Sequence, residues 1–392
     1  MSIEDIRMKV LGRERTTEEL KQSFEDCTMC RFCMLACPFV DEGWLTEGPI
    51  GKGRAWIAGV ENAGIAPDEH LQKMVHSCTS CGKCDVACRH RLELPRVFEL
   101  LKSELYTKYN MPLLKGHEGI AEGIRKYGNP YLEPKEKWFE WSSEPLQNKG
   151  EYMYFVGCTA AYREKTIADT NAKLLKELGV SLFVVQNMIC CGSSPLRIGL
   201  VNDAKNCFSQ NYEAMRNAGV KKVITPDAQC LATLTHEYRE HFGDFDVEIY
   251  HTSQILNRLT ADFNIRLRLE GKETKVTYHD PCLLTRHCGV YDEPRNIINN
   301  IEGVKFIEMM PNREEADCCG AGAGVREGLP EESSRIAGNR MRQAEETGAE
   351  YLLSTDPLCK MQLAEAAEDQ NMPFKVMDLS EFLMEHCKIT KQ

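Results

Sequence analysis

No stretch of the 392-residue chain approaches the roughly 18 consecutive apolar residues that a bilayer-crossing helix needs. The opening segment, MSIEDIRMKVLGRERTTEEL, lacks the apolar core of a secretory signal. The expected location is therefore the cytoplasm, either free or peripheral on the inner face of the membrane. Positive charge is in deficit as well: 48 Lys and Arg against 59 Asp and Glu leave a formal net charge of -11. A surface that binds phosphates needs a basic excess to release counterions, so nucleic acid is excluded as an expected partner. Proteins and small molecules remain.

Cysteine, by contrast, is abundant, with 19 in the chain. Disulfides would explain that number in a small secreted domain, but this chain is long and spaces its cysteines as metal ligands. Two runs follow the pattern C-x2-C-x2-C-x3-C: Cys27, Cys30, Cys33, Cys37, and then Cys78, Cys81, Cys84, Cys88. Three closely spaced thiolates occupy three corners of a cubane, and in two-cluster ferredoxins the fourth cysteine of each run reaches across to the other cluster. The spacing thus assigns Cys27, Cys30, Cys33 and Cys88 to one [4Fe–4S] cluster, and Cys78, Cys81, Cys84 and Cys37 to a second. A pair of zinc sites is the bland alternative; two complete four-cysteine runs argue against it. Pro38 follows the first run as the ferredoxin pattern expects, whereas Arg89 follows the second, a departure that touches a turn and not a ligand.

Around these runs the pattern is helical: a short charged helix from Thr17 to Asp26, pieces at Gly51–Val60 and Pro67–Val75, and an amphipathic stretch from Pro95 to about Tyr109. A mainly α-helical dicluster ferredoxin unit over residues 1–110 is expected. Gly, Pro and Trp then accumulate through NPYLEPKEKWFEWSSEPLQNKG, which reads as part of a linker over 111–150. Beyond it, β-rich runs alternate with amphipathic helices: YMYFVG, Thr166–Leu178, SLFVVQ, Val201–Ala218, KKVIT. The order repeats as KVTYHD, Pro294–Ile301, VKFIEM, Glu331–Thr347, YLLST, followed by an extra strand-like FKVMDL and a short helix near Phe382. Two similar α/β modules, 151–265 and 266–392, are the economical description.

Within those modules the cysteines fall where strands end. Cys158 follows YMYFVG, Cys190-Cys191-Gly192 follows SLFVVQ, and Asp227-Ala-Gln-Cys230 follows KKVIT; Cys282, Cys318-Cys319-Gly320 and Asp356-Pro-Leu-Cys359 repeat the arrangement. Parallel strands joined by helices bring their C-terminal ends to one edge, so these thiols should converge. Adjacent cysteines require a tight turn, which Gly192 and Gly320 permit.

A lone Cys, a CCG and a final Cys at such intervals resemble the CCG domain of heterodisulfide reductase and related iron–sulfur oxidoreductases. The words TYHDPCLLTRHCGVYDEPR and ADCCGAGAG are similar to that family's second repeat, and YFVGCTAAYRE with MICCGSSPLRIG to its first. The order, ferredoxin and then two CCG repeats, resembles the D-type subunit. The resemblance implies one or two further [4Fe–4S] clusters, cubane or non-cubane, held by Cys158, Cys190, Cys191 and Cys230 and by Cys282, Cys318, Cys319 and Cys359. The family's last motif is CxxC, and here Asp227 and Asp356 replace its first cysteine. Either an aspartate oxygen is a metal ligand, or four cysteines hold an ordinary cubane while the aspartates cap the helices that follow; soft sulfur favours the four-cysteine site. Cys207, Cys288 and Cys387 read as ordinary thiols. His279 and His287 flank Cys282 as structural histidines or as donors to cluster sulfur, and Arg286 as a solvated cation or an anion-attracting one. Without a following Lys-Ser/Thr, the glycines after Cys319 read as a cluster turn and not a phosphate loop.

The resemblance implies an oxidoreductase subunit taking single electrons from a membrane cytochrome b or a flavoprotein and passing them to disulfide or thiol chemistry at the CCG sites. The alternative is a pure relay subunit, as in glycolate, lactate and anaerobic glycerol-3-phosphate dehydrogenases. Purified without oxygen, the chain is expected to be brown and to contain iron and acid-labile sulfide; a colourless zinc protein would refute every iron-based reading at once.

Overall fold

The computed structural model describes residues 26–40, 48–90, 92–243, 245–262 and 265–391, together with Gln22 and Phe24. Of the helix expected from Thr17 to Asp26, residues 17–21, 23 and 25 lie outside the described residues. Among the described residues no helix is long and apolar enough to cross a membrane.

The N-terminal part is helical, as expected. Helices Gly48–Trp56, Glu69–His76 and Leu94–Thr107 surround the two cysteine runs. Leu94–Thr107 presents Leu94, Val97, Phe98, Leu101 and Leu105 on one stripe, all buried against Ile50, Trp56 and Val75. Pro95 sits in its first turn, where a missing N–H costs no hydrogen bond.

The C-terminal part is built twice on the same frame. In the first module, strands β1 (Tyr152–Tyr154), β2 (Leu182–Phe183), β3 (Lys222–Thr225) and β4 (Glu248–His251) form a parallel sheet in the order β2-β1-β3-β4. Strand β5 (Ile265–Leu269) follows. In the second module, β6 (Thr274–Tyr278), β8 (Val304–Phe306), β9 (Tyr351–Ser354) and β10 (Lys375–Asp378) form a parallel sheet in the order β10-β9-β6-β8. Matching β1 to β6, β2 to β8, β3 to β9 and β4 to β10 makes the two orders identical. Helices cross between strands in both, Lys165–Glu177 and Val201–Asn217 in one, Asp292–Asn299 and Pro330–Glu345 in the other. A small third sheet joins β5 to β7 (Ile301–Glu302) in parallel and to β11 (Cys387–Lys391) in antiparallel fashion.

FKVMDL, expected as an extra piece, is β10 and has a counterpart in β4, which the sequence pattern conceals. Strand β4 is a sheet edge with its first three residues at least partly exposed, so charged and apolar residues mix and the signal is weak. The stretch 111–150 carries helix Lys115–Tyr127 and a turn of 3-10 helix at Lys135–Phe139. Ile120, Ile124, Trp138 and Trp141 enter the core of the first module, with Trp138 and Trp141 edge-on to Tyr162 and Tyr154 at 5.7 and 5.4 Å between ring centres.

The same helix meets the second module, where a Cβ on Gly116 would lie 1.7 Å from the Glu327 carbonyl oxygen. Gly116→Ala should therefore lower stability by about 1–3 kcal/mol, as overpacking against backbone does. Thermal unfolding of the anaerobic protein measures it, and an unchanged midpoint would mean that this contact is slack.

Candidate metal centre

The two N-terminal cysteine runs fold as near copies. Met29 and Arg31 in the first, Ser80 and Gly82 in the second, adopt left-handed backbone with φ of 59°, 65°, 54° and 78°. Such residues turn successive N–H groups toward one concave side that suits an anion. One of them, the Met29 N–H, donates to Cys27 Sγ at 3.3 Å. A one-turn helix follows in each copy, Phe32–Ala36 and Lys83–Ala87, carrying Cys33 and Cys84 buried on its inner face. Cys37 and Cys88 end these helices in extended backbone.

Because the two short helices pack together, the fourth cysteines exchange places. Cys33 faces Cys27, Cys30 and Cys88, and Cys84 faces Cys37, Cys78 and Cys81. Burial pushes the Cys33 and Cys37 thiols up to about 11. Cys37, Cys78, Cys81 and Cys84 line a cavity of about 20 Å³ closed by Phe39, Phe98 and Lys52. Lys52, 2 % exposed, donates from Nζ to the Ser77 carbonyl and hydroxyl at 2.5 and 2.8 Å. Lys102, fully buried, donates to the Cys78 carbonyl at 3.1 Å. Both ammonium groups lower the cost of negative sulfur at Cys78. Of the eight cysteines in these runs, Cys30 alone is exposed.

At the strand ends of the first module, Cys158 opens helix Cys158–Tyr162, Cys230 lies in the first turn of Ala228–Thr235, and Cys190 and Cys191 occupy the turn after β2. Gly192 makes that turn at φ 93°, sending its N–H to Cys190 Sγ at 3.5 Å. Cys158 and Cys190 sulfurs are 3.9 Å apart, and Cys191 faces Cys230. All four line a cavity of about 100 Å³ that Tyr131, Thr159 and Gln229 also border. This is site 1.

Site 2 repeats it. Gly320, at φ 91°, donates to Cys318 Sγ at 3.4 Å; Cys282 faces Cys318, and Cys359 Sγ lies 3.2 Å from Cys319 Sγ. In both sites the first member of the cysteine pair is held below its ordinary value by a neighbouring thiol, Cys190 by Cys158 and Cys318 by Cys282. Burial pushes Cys230 up to about 12. Buried thiols of this kind keep their protons until a cation replaces them, which is what a metal site of thiolates requires. The donor sets, all soft sulfur with N–H groups aimed at them, fit iron–sulfur clusters.

Asp227 and Asp356 cap the helices that carry the last cysteines. Asp227 accepts from the Cys230 N–H and Asp356 from the Cys359 N–H, each at 2.9 Å. Asp356 also accepts from the Ala228 N–H of the other module at 3.0 Å. Burial, reinforced by Asp356, raises Asp227 to about 7.

The dicluster unit docks on both modules: on the first, Glu99 pairs with Arg197 at 2.5 Å, Lys102 donates to the Arg197 carbonyl at 3.1 Å and Arg96 pairs with Glu240, and on the second the contacts surround Cys81. Cys81 touches Cys318 side chain to side chain, Lys83 pairs with Asp317 at 2.5 Å, and a ring nitrogen of His287 lies 3.0 Å from the Ser80 carbonyl. Arg286 is not a solvated cation: its Nε donates to the Cys81 carbonyl at 2.6 Å and its Nη1 to the carbonyls of Ala316 at 2.7 Å and Glu314 at 3.1 Å. His279 brings a ring nitrogen within 4.8 Å of the Cys319 and Cys359 sulfurs. Cys207 packs behind Cys190, Cys387 opens β11, and Cys288 sits 4.0 Å from a His236 nitrogen; none of these three joins a four-cysteine group. Sequence reading missed Lys52, Lys102, Tyr131 and Arg340. Lys102 did leave a signal, a charged residue on the apolar stripe of Leu94–Thr107.

Comparison with known proteins agrees with this architecture. Residues 23–92 match the 4Fe-4S dicluster domain, and residues 152–235 and 276–364 match the Cysteine-rich domain, so the chain carries 4Fe–4S clusters. It is 31% identical over 383 residues to the D-type subunit of the dihydromethanophenazine:CoB–CoM heterodisulfide reductase of Methanosarcina mazei, covering 92% of this chain and 93% of that one. An EtfAB:quinone oxidoreductase of Syntrophomonas wolfei is 30% identical over 335 residues, 79% of this chain and 46% of the relative. A hypothetical protein from Helicobacter pylori shares the fold, with a TM-score of 0.54 at 9% identity over 86% of this chain and 67% of that one. A dicluster unit, two cysteine-rich modules and sequence identity along nearly the whole length establish that this chain belongs to the family of D-type heterodisulfide reductase subunits, as an iron–sulfur oxidoreductase subunit.

Proposed function

We propose that the chain takes single electrons from a partner subunit, a membrane cytochrome b or a flavoprotein, and delivers them in pairs to a disulfide at the cysteine-rich sites. The observation that carries this reading is the contact of Cys81 with Cys318, which joins the dicluster unit to the second module without intervening protein. Electrons enter at the group Cys27, Cys30, Cys33 and Cys88, which includes the exposed Cys30. They pass to Cys37, Cys78, Cys81 and Cys84, and cross to Cys282, Cys318, Cys319 and Cys359 and then to Cys158, Cys190, Cys191 and Cys230. Each group of four holds one 4Fe–4S cluster, which supplies one-electron storage. The S–S bond breaks on receipt of two electrons from the partner and two protons from solvent, giving two thiols. The Methanosarcina mazei relative is named for a CoB–CoM heterodisulfide, which supports a disulfide as the substrate class. Residues 1–110, 151–265 and 266–392 act as the three functional units, with 111–150 between the first two, and the protein works in the cytoplasm, either free or peripheral on the inner face of the membrane.

A second reading is a relay that hands electrons to another subunit and binds no disulfide. Its support is the aspartate at both positions where the family has cysteine, and the name of the Syntrophomonas wolfei relative, a quinone oxidoreductase. Adding a thiol pair to the oxidised anaerobic protein separates the two. A thiol-dependent paramagnetic signal from the C-terminal sites is expected; a spectrum indifferent to thiol selects the relay.

The aspartates are caps in this reading, so Asp227→Asn and Asp356→Asn should retain full iron content, with stability changed by at most about 1 kcal/mol. Loss of iron in either variant, measured by metal analysis, would make a carboxylate the fifth ligand.

A further inference from the structure

Sites 1 and 2 share a frame but not their neighbours. His279 stands three residues before Cys282 and Arg286 four after it; the corresponding positions around Cys158 are Phe155 and Tyr162. The exchange replaces an apolar ring and a hydroxyl with two nitrogen bases, both carried into the second site.

Their hydrogen bonds decide what each can do. His279 is 1 % exposed, and its Nδ1 accepts from the Arg340 Nε–H at 3.2 Å. An arginine Nε always carries hydrogen, so a neutral imidazole in this contact must hold its own proton on Nε2. That Nε2–H is buried and has no hydrogen-bond partner among the described residues, and the ring lies against Cys319 and Cys359. A ligand nitrogen would need a free lone pair, which this tautomer lacks at Nε2; beside these sulfurs the ring offers a donor and not a ligand. Arg286 behaves alike. Its Nε and Nη1 are bound to carbonyls, while its buried Nη2 has no partner among the described residues and the guanidinium faces Cys81, Cys282 and Cys318. In site 1, Phe155 offers no polar hydrogen, the Tyr162 hydroxyl is directed to the Pro134 carbonyl at 3.5 Å, and Arg197, which borders the cavity, is paired with both Glu99 and Glu237, so its charge is balanced where that of Arg286 meets only neutral carbonyls.

We infer that His279, locked as an Nε2–H donor by Arg340, and Arg286 make site 2 the more readily reduced of the two cysteine-rich sites, so that the first of the two electrons waits there. N–H groups aimed at cluster sulfur stabilise the added negative charge of the reduced state, and a buried cation does so more strongly. Site 2 also faces the dicluster unit sulfur to sulfur, Cys318 against Cys81, whereas the site 1 cavity meets that unit only through Arg197 and its partners Glu99 and Lys102 among the described contacts. A one-electron supply feeding a two-electron reaction needs such a holding place. Only an electron moves in this step, from the Cys81 side to the Cys318 side, and no bond is made or broken. The inference rests on the functional reading above, that both sites hold clusters.

The test is an anaerobic redox titration of the full chain followed by electron paramagnetic resonance, with the site 2 signal identified by its loss in Cys319→Ala. In the native chain, site 2 should be reduced at a more positive potential than site 1. His279→Phe, the residue of site 1, should shift the site 2 transition negative and leave site 1 and the dicluster signals in place. His279→Gln, which keeps a side-chain N–H, should stay closer to the native value. If His279→Phe does not assemble, Arg340→Lys removes the Nε–H while keeping a cation, and should shift site 2 in the same direction. Clusters present in both sites, with the site 2 transition unmoved by these changes, would overturn this inference and leave the functional reading standing. Iron confined to the dicluster unit would overturn both.

Discussion

Four sulfur atoms brought together in a buried pocket cannot all be thiolates unless positive charge sits among them. Burial and mutual repulsion both oppose ionisation, which is why the thiols of Cys33, Cys37 and Cys230 are pushed so far up. The remainder of the structure is arranged around meeting that demand. Iron bound there would supply most of the charge, and the protein contributes the rest from fixed positions: Lys52 and Lys102 beside Cys78, Arg286 beside Cys81 and Cys318, and backbone N–H groups at Met29, Gly192 and Gly320. The left-handed turns and the CCG glycines are consequences of the same requirement, since they are what points those N–H groups inward.

The duplicated module shows how a symmetric frame acquires direction. Sheet order, cysteine positions and aspartate caps repeat faithfully, and Asp356 even reaches across to the Ala228 N–H of its counterpart. The dicluster unit nevertheless meets the two copies differently: Glu99 and Lys102 reach Arg197 of the first, whereas Lys83, Ser80 and the ligand-run Cys81 reach Asp317, His287 and Arg286 of the second. Arg286 thus serves both the docking on the second repeat and the divergence of the two sites.

Cysteine spacing made much of this legible in advance. With only two residues between ligands, the chain has few ways to bring three sulfurs to one centre, and the strand-end positions follow from parallel topology. The helical dicluster region and the repeated α/β modules were readable for the same reason, because they rest on periodicity that the core enforces. Strand β4 escaped because an edge strand has no such enforcement. His279 and Arg286 were singled out with their roles left open, because their partners, Arg340 and Cys81, are distant in sequence, and no local pattern says whether a basic side chain faces solvent or a buried carbonyl. Asp227 and Asp356 illustrate a third case: an aspartate before a helix is legible as a cap, but its place in the family's cysteine motif gave it a second meaning, and in the structure each accepts from the N–H of the cysteine three residues on.

The stretch 111–150 bears on speed. Electron tunnelling falls off exponentially with separation, so a swivelling joint there would make transfer intermittent, fast in some poses and negligible in others. Instead the helix Lys115–Tyr127 is wedged between the modules, Gly116 against the Glu327 carbonyl and a His117 nitrogen 2.8 Å from that of Gly324, with two tryptophans anchored behind it. What looks in sequence like a tether acts as a spacer of fixed length, and a fixed length turns an erratic hop into a steady current.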